Sequence, residues 1–211
     1  MASYDPSETR TRLLEAAADE MWERGFQAAG MAAILDKAGV TKGALYHHFG
    51  SKEALGLAVI DELLATRIKE MWVAPLAAHS NPVMGIRKSI AHAGECLDET
   101  MLHRGCLLNN LSQEMCPVSP SFREHIQQLF DLWRSGLSEA LARGQEEGFV
   151  SLEIDPVAAA WVIVSMIEGG IGMLKASVGT AAVRPDALTH GLDVYLSHLE
   201  ITPTPKALTH E

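Results

Sequence analysis

Apolar side chains recur every three or four residues along most of the chain, and no stretch alternates apolar and polar positions with period two. This pattern predicts an all-α protein. A proline directly after a polar capping residue marks two of the helix starts, at Pro120 and Pro156. The predicted helices span residues 7–24, 31–38, 41–49, 52–72, 82–101, 105–116, 119–147, 155–178 and 185–199.

The predicted helices fall into two units. Short helices and tight turns fill residues 1–55, which we expect to form an N-terminal three-helix domain. Longer amphipathic helices fill residues 56–200, which we expect to form a larger helical domain. The predicted helix 52–72 connects the two domains, and the proline-rich tail at residues 201–211 is expected to be disordered.

Residues 32–49 have the pattern of a helix-turn-helix motif. A short helix leads into Gly39, which suits a left-handed turn, and Thr41 can cap the second helix. The apolar positions that would face inward are Ile34, Ala38, Val40, Leu45 and Phe49. The remaining face of the second helix carries Thr41, Lys42, Gly43, Ala44, Tyr46, His47 and His48. Their hydroxyl, ammonium and small side chains are suited to contact phosphates and base edges in a DNA groove.

The run from Gly25 to Leu55, and above all residues 38–49 (Ala-Gly-Val-Thr-Lys-Gly-Ala-Leu-Tyr-His-His-Phe), resembles the DNA-binding domain of the TetR family of bacterial transcriptional repressors. The resemblance covers about the first quarter of the chain. It implies a homodimer that binds a palindromic double-stranded DNA operator and leaves it when a small-molecule effector enters the larger domain. Carried onto matching positions, it implies DNA contacts by Thr41, Lys42, Ala44, Tyr46 and His47, and a phosphate contact by Lys52.

The chain departs from the family pattern in two places. Ala29 and Gly30 stand where the family usually has two hydroxyl residues, so one phosphate contact is missing, and Gln27 or Lys37 are candidates to replace it. Leu35 occupies a position where a small residue is common.

The formal net charge of −10 disfavours indiscriminate attraction to nucleic acid. The charge is unevenly distributed, because residues 56–211 hold 11 basic and 19 acidic side chains, whereas residues 37–52 hold three lysines and no acid. We therefore expect a locally positive surface on the helix-turn-helix motif.

The predicted helix 155–178 is apolar on all sides, and such a helix must be covered in a soluble protein. With the last helix it predicts a four-helix dimer interface, two helices from each subunit. The alternative is a core helix of a monomer. The predicted interface residues are Trp161, Ile167, Leu188, Leu192, Tyr195 and Leu196.

A pocket for the effector is expected between the helices of the larger domain. Its predicted lining residues are Cys106, Asn110, Gln113, Trp133 and Trp161. The polar residues at 109–114 also fit an ordinary solvated helix face.

Cys106 stands at a helix start after His103 and Arg104, where positive charge and the helix dipole lower a thiol pKa. A Gly-Cys-Leu sequence here resembles family members that sense electrophiles or oxidants. The sequence thus predicts a reactive thiolate, and the alternative is a buried, inert cysteine.

Two other function classes remain open. Cys106, His103, His92 and Glu168 could serve an enzyme, although no metal-ligand spacing or nucleophile motif accompanies them, and a dimeric scaffold would leave the lysine-bearing face unexplained. We predict no catalytic residues, metal or cofactor. The polar N-terminus and an apolar stretch of only 12 residues at 156–167 predict a cytoplasmic protein without membrane contact.

Overall fold

The computed structural model describes residues 6–180 and 184–201. These residues are mostly helical and form no β-strand; Val150 and Glu200 make a single antiparallel bridge. The helices are α1 (Pro6–Arg24), α2 (Met31–Ala38), α3 (Lys42–Phe49), α4 (from Lys52 to Ala77), α5 (Pro82–Glu95), α6 (Glu99–Arg104), α7 (Leu107–Met115), α8 (Pro120–Glu146), α9 (Pro156–Ser177) and α10 (Pro185–Leu199). The all-α prediction is confirmed.

One predicted helix is two in the structure. The periodicity over residues 82–101 predicts a single helix, but α5 ends at Glu95 and α6 begins at Glu99. Asp98 caps α6, because its carboxylate accepts a hydrogen bond of 2.7 Å from the Met101 amide. This local capping interaction starts a new helix, although the apolar pattern continues through it. The predicted disordered tail lies outside the described residues from position 202 onward.

Helix α4 joins the two halves of the molecule. It continues to Ala77, beyond the predicted end at residue 72, and it contains π-helical turns at Val59–Leu64 and Lys69–Val73. Any boundary near residue 55 therefore falls inside one continuous helix.

The N-terminal helices pack directly against the larger helical body. At Gly56 of α4 an added Cβ would lie 2.6 Å from the Phe26 ring and 2.9 Å from the Phe122 ring. Those two rings are 4.5 Å apart between centroids and are contributed by the α1–α2 turn and by α8. The absence of a side chain at Gly56 therefore allows the three segments to meet.

Candidate functional site

The turn between α2 and α3 is held from both sides. Gly39 has a φ of +62°, a conformation that favours glycine, and the Arg12 guanidinium of α1 donates to the carbonyl oxygens of Ala38 and Gly39. Thr41 caps α3, with its hydroxyl oxygen accepting from the Ala44 amide at 3.3 Å. The predicted glycine turn and threonine cap are confirmed.

Helix α3 presents the predicted contact residues to solvent. Leu45 and Phe49 are buried and anchor the helix. Thr41, Lys42, Gly43, Tyr46 and His47 are exposed, and Ala44 is half-buried. The Lys42 ammonium lies 5.7 Å from the centroid of the Tyr46 ring.

Lys52 is partly buried at the start of α4. Its ammonium donates to the Gln27 carbonyl oxygen at 3.1 Å and lies 5.0 Å from the centroid of the Phe26 ring. Lys52 therefore lies against the α1–α2 turn, with its position fixed by two contacts.

Lys37 is not available to replace the missing hydroxyl contact. Its ammonium lies 2.7 Å from Asp19, 2.9 Å from Glu20 and 3.5 Å from Glu23, all on α1. Hydrogen bonds to Asp19 and Glu20 raise the pKa of Lys37, and the hydrogen bond from Lys37 lowers the pKa of Asp19. The expected three-lysine surface is wrong in this respect, because the charge of Lys37 is neutralised by residues distant in sequence.

Two polar contacts between the domains had no signal in the sequence. The Glu114 carboxylate of α7 accepts hydrogen bonds of 2.8 Å from the amides of Phe26 and Gln27. The Trp22 indole of α1 donates at 2.7 Å to the carbonyl oxygen of Gly105, directly before Cys106. Both ends of α7 are thus tied to the helix-turn-helix domain, and the second tie is next to Cys106.

The larger domain contains a cavity of about 470 Å³ that is partly open to solvent. All the helices from α4 to α10 line it, together with Trp22 of α1. Its surface is largely apolar, and it falls within the roughly 300–1,000 Å³ that is typical of small-molecule sites. Its aromatic residues are Trp22, Trp72 and Trp133.

Cys106 and Glu168 meet at this cavity. Burial raises the pKa of the Cys106 thiol, and the neighbouring Glu168 charge raises it further. Burial also raises the pKa of Glu168, to about 7, although the Cys106 thiol and the Asn109 amide both donate to it. The expected low thiol pKa is therefore wrong.

The cause of that error lies in tertiary contacts. Cys106 does stand at the start of α7, as predicted, but the Arg104 guanidinium is turned to Asp19 at 2.7 Å. Desolvation at the cavity wall then outweighs the helix dipole. A neutral thiol beside a carboxyl group results.

The predicted effector residues separate into two groups. Cys106 and Trp133 line the cavity. Asn110 is instead bound to the Arg104 carbonyl at 2.7 Å, and Gln113 is exposed. Trp161 is 54% exposed on the outer surface of α9, where the Arg134 guanidinium lies 3.8 Å from its ring centroid.

The outer surface of α9 and α10 is apolar and uncovered. Its exposed side chains include Val157, Trp161, Val162, Met173 and Val194. Of the other predicted interface residues, Leu188 and Tyr195 are partly buried against the core. Ile167, Leu192 and Leu196 are buried inside the protomer, so assigning them to an exposed interface is wrong. Helical periodicity identifies an apolar face but does not say which of two apolar faces points outward.

Helix α9 also has the length and composition of a membrane-crossing helix, with a mean hydropathy of 1.8 over its most apolar window. Its 22 residues exceed the 12-residue stretch considered from the sequence. A single helix of this kind is weak evidence for a membrane segment, since helices at protein interfaces share the same composition.

Two family models match the chain. The model of bacterial regulatory proteins of the tetR family matches residues 13–59, which include α2 and α3. The model of the tetracyclin repressor-like C-terminal domain matches residues 82–185, which include most of the cavity wall.

Whole-chain similarities agree with these models. The transcriptional regulator AcuR of Cereibacter sphaeroides is 30% identical over 184 residues, covering 87% of this chain and 82% of that protein. The HTH-type transcriptional repressor DhaR of a Mycobacterium species is 29% identical, covering 79% and 82%. The crystal structure of a regulatory protein TetR from Rhodobacter sphaeroides superposes with a TM-score of 0.76 at 28% identity, covering 90% and 97%.

Proposed function

We propose that this chain, which belongs to the TetR family of bacterial transcriptional regulators, is a repressor. In this proposal it binds a palindromic operator as a homodimer. The observation that carries this proposal is the surface of α3. Five of its predicted contact residues are exposed, while Leu45 and Phe49 hold the helix in place. Family membership indicates a regulator rather than an enzyme or a scaffold, and the cytoplasm is the compartment in which such a protein meets DNA.

The exposed face of α3 offers distinct kinds of DNA contact. We propose that Lys42 and the amides of the first turn of α3 contact phosphate oxygens, and that Tyr46 and His47 contact base edges or phosphates. Lys52 supports the same surface through the Gln27 carbonyl. Gly43 and Ala44 allow close approach to the groove.

The apolar outer face of α9 and α10 supports a homodimer. Trp161, Val162 and Val194 would be covered by the same residues of a second copy in a two-fold interface. Such a dimer must place its two α3 helices about 34–36 Å apart to read successive major grooves.

The cavity supports control by a small molecule. Helix α4 contributes Arg67, Met71 and Trp72 to its wall and runs directly into the helix-turn-helix domain. Helix α7 begins at the cavity and carries Glu114 near its end, where the carboxylate holds the α1–α2 turn. We propose that an occupant of the cavity displaces these two helices and changes the separation of the α3 helices.

Modification of Cys106 is a second candidate signal, favoured by its place at the cavity beside Glu168. The Glu168 carboxylate can accept the thiol proton while the sulfur attacks a carbon electrophile, and with iodoacetamide the leaving group is iodide. Iodoacetamide should then release operator DNA from the wild type and from Cys96→Ser, but not from Cys106→Ser. Equal release from all three proteins would exclude a role for Cys106.

The DNA-binding proposal is tested by sequencing genomic fragments captured by the purified protein and measuring their affinity across salt concentrations. Lys42→Ala should weaken binding and lower the slope of log affinity against log salt by about one, because one phosphate contact is lost. Lys88→Ala removes an exposed lysine from the body and should change neither value.

Two results would contradict the proposal. The first is capture of no sequence above background. The second is equal weakening by Lys42→Ala and Lys88→Ala, since a contact by α3 requires the two positions to differ.

A further inference from the structure

We infer that the cavity accepts a protonated aromatic amine, whose ammonium group donates to the buried Glu168 carboxylate. The inference rests on the proposed function in that the cavity is taken as the effector site. It deepens the proposal by naming the chemical class of the occupant.

The first argument is the state of Glu168. Its side chain is only 7% exposed, and its Oε2 atom is buried without a hydrogen-bond partner. Among residues 6–180 and 184–201 no lysine, arginine or histidine pairs with it. A buried carboxylate without a cation is unfavourable, so a ligand that brings the cation gains a strong, charge-assisted hydrogen bond.

The second argument is the charge of the cavity wall. Glu70, Arg67 and His92 also line the cavity, and all three are exposed residues. Arg67 and Glu70 offset each other, which leaves Glu168 as the uncompensated charge. An anionic occupant would therefore meet a like charge, whereas a cation would meet its complement.

The third argument is the aromatic lining. The indoles of Trp22, Trp72 and Trp133 line the same cavity, and the Trp72 and Trp133 centroids are 5.0 Å apart. Indole rings attract cations and pack well against an aromatic ligand. The Trp133 Nε1 atom is also buried without a partner.

The test uses three probes that share a phenyl ring and a short arm: 2-phenylethylamine, 2-phenylethanol and 3-phenylpropanoate. Their affinities for the full-length protein are measured by isothermal titration calorimetry near pH 8, where Glu168 is ionised. The amine should bind at least about tenfold more tightly than the alcohol, because a hydrogen bond to a charged group replaces a neutral one. The propanoate should bind most weakly.

Glu168→Gln keeps the shape of the side chain and removes its charge, so the preference for the amine should disappear. Glu153→Gln removes a charge from an exposed position outside the cavity wall and should preserve the preference. Circular dichroism checks that both variants fold, and the ranking of the three probes on the wild type is independent of either variant.

Equal binding of amine and alcohol, tighter binding of the propanoate, or an unchanged preference in Glu168→Gln would each overturn the inference. Operator release is measured separately with the same probes. If the amine binds preferentially but does not release operator DNA, the result supports the ligand class and counts against the proposed coupling. Failure of the ligand class and failure of the coupling are therefore distinguishable.

Discussion

Glu168 makes the stability of the protein depend on pH. Its pKa is raised from an ordinary 4.5 to about 7 by burial, so the folded protein binds the proton more tightly than the unfolded chain. The resulting stabilisation is complete below about pH 4.5 and is lost as the pH rises through 7. At pH 8 the ionised carboxylate costs roughly 3 kcal/mol, at about 1.4 kcal/mol per pKa unit.

Glu168→Gln should remove this dependence. We compare the free energy of unfolding of the variant with that of the wild type by urea denaturation at two pH values. The variant's advantage over the wild type should be larger at pH 8 than at pH 5 by roughly 2–3 kcal/mol. Glu70→Gln, at an exposed position, serves as the control. A difference between Glu168→Gln and wild type that stays constant with pH would contradict the assigned titration.

Residues whose role is local were predictable, and residues that depend on distant partners were not. Thr41 caps the helix that it precedes, and Gly39 takes the left-handed turn that its neighbours require. The Lys37 ammonium is instead neutralised by α1, and the Cys106 thiol by its burial beside Glu168. Nothing within a few positions of either residue encodes those contacts.

At the level of elements, α7 is a short helix that faces the cavity at its start and is held to the helix-turn-helix domain near both ends. Its polar residues were ambiguous in the sequence between ligand recognition and a solvated face. The structure gives Glu114 another role, because its carboxylate binds two amides of the α1–α2 turn. Periodicity located the helix but could not reveal a partner 88 positions away.

Glu114→Ala should loosen this attachment. Two charge-assisted hydrogen bonds are lost, so the free energy of unfolding should fall by about 1–3 kcal/mol. Amide exchange at Phe26 and Gln27 should accelerate, as measured by hydrogen–deuterium exchange. The matched control is Gln113→Ala, at the neighbouring exposed position, which should leave both measurements near wild type. Unchanged exchange at the turn in Glu114→Ala would show that Glu114 does not hold it.

At the level of the whole molecule, the exposed apolar surface of α9 and α10 predicts self-association. Trp161→Glu should yield a monomer in sedimentation velocity experiments, because an interface on this surface would have to bury a carboxylate in place of an indole. Trp161 is 54% exposed in the protomer, so the variant should remain folded. Val118→Glu places the same charge on an exposed apolar residue outside α9 and α10, in the turn between α7 and α8, and should remain dimeric. A dimeric Trp161→Glu would place the interface elsewhere.

The distribution of charge explains how an acidic protein can bind DNA. The net charge of −10 lies mainly on the larger domain, while Lys42 and Lys52 occupy the proposed DNA-binding side. Screening over about 8 Å at physiological ionic strength separates the two regions. The acidic body therefore limits non-specific binding, and the acids of α1 are partly neutralised by Lys37 and Arg104.

The layout of α7 also bears on how such regulators can diversify. Its first turn, at Leu107 and Leu108, faces the cavity. Glu114 lies near the opposite end of the helix, where its carboxylate accepts hydrogen bonds from the α1–α2 turn. Substitutions in the first turn can reshape the cavity wall while leaving the contacts of Glu114 intact. Under the proposed coupling, descendants of a duplicated gene could acquire different inducers and still share one inherited route for leaving DNA.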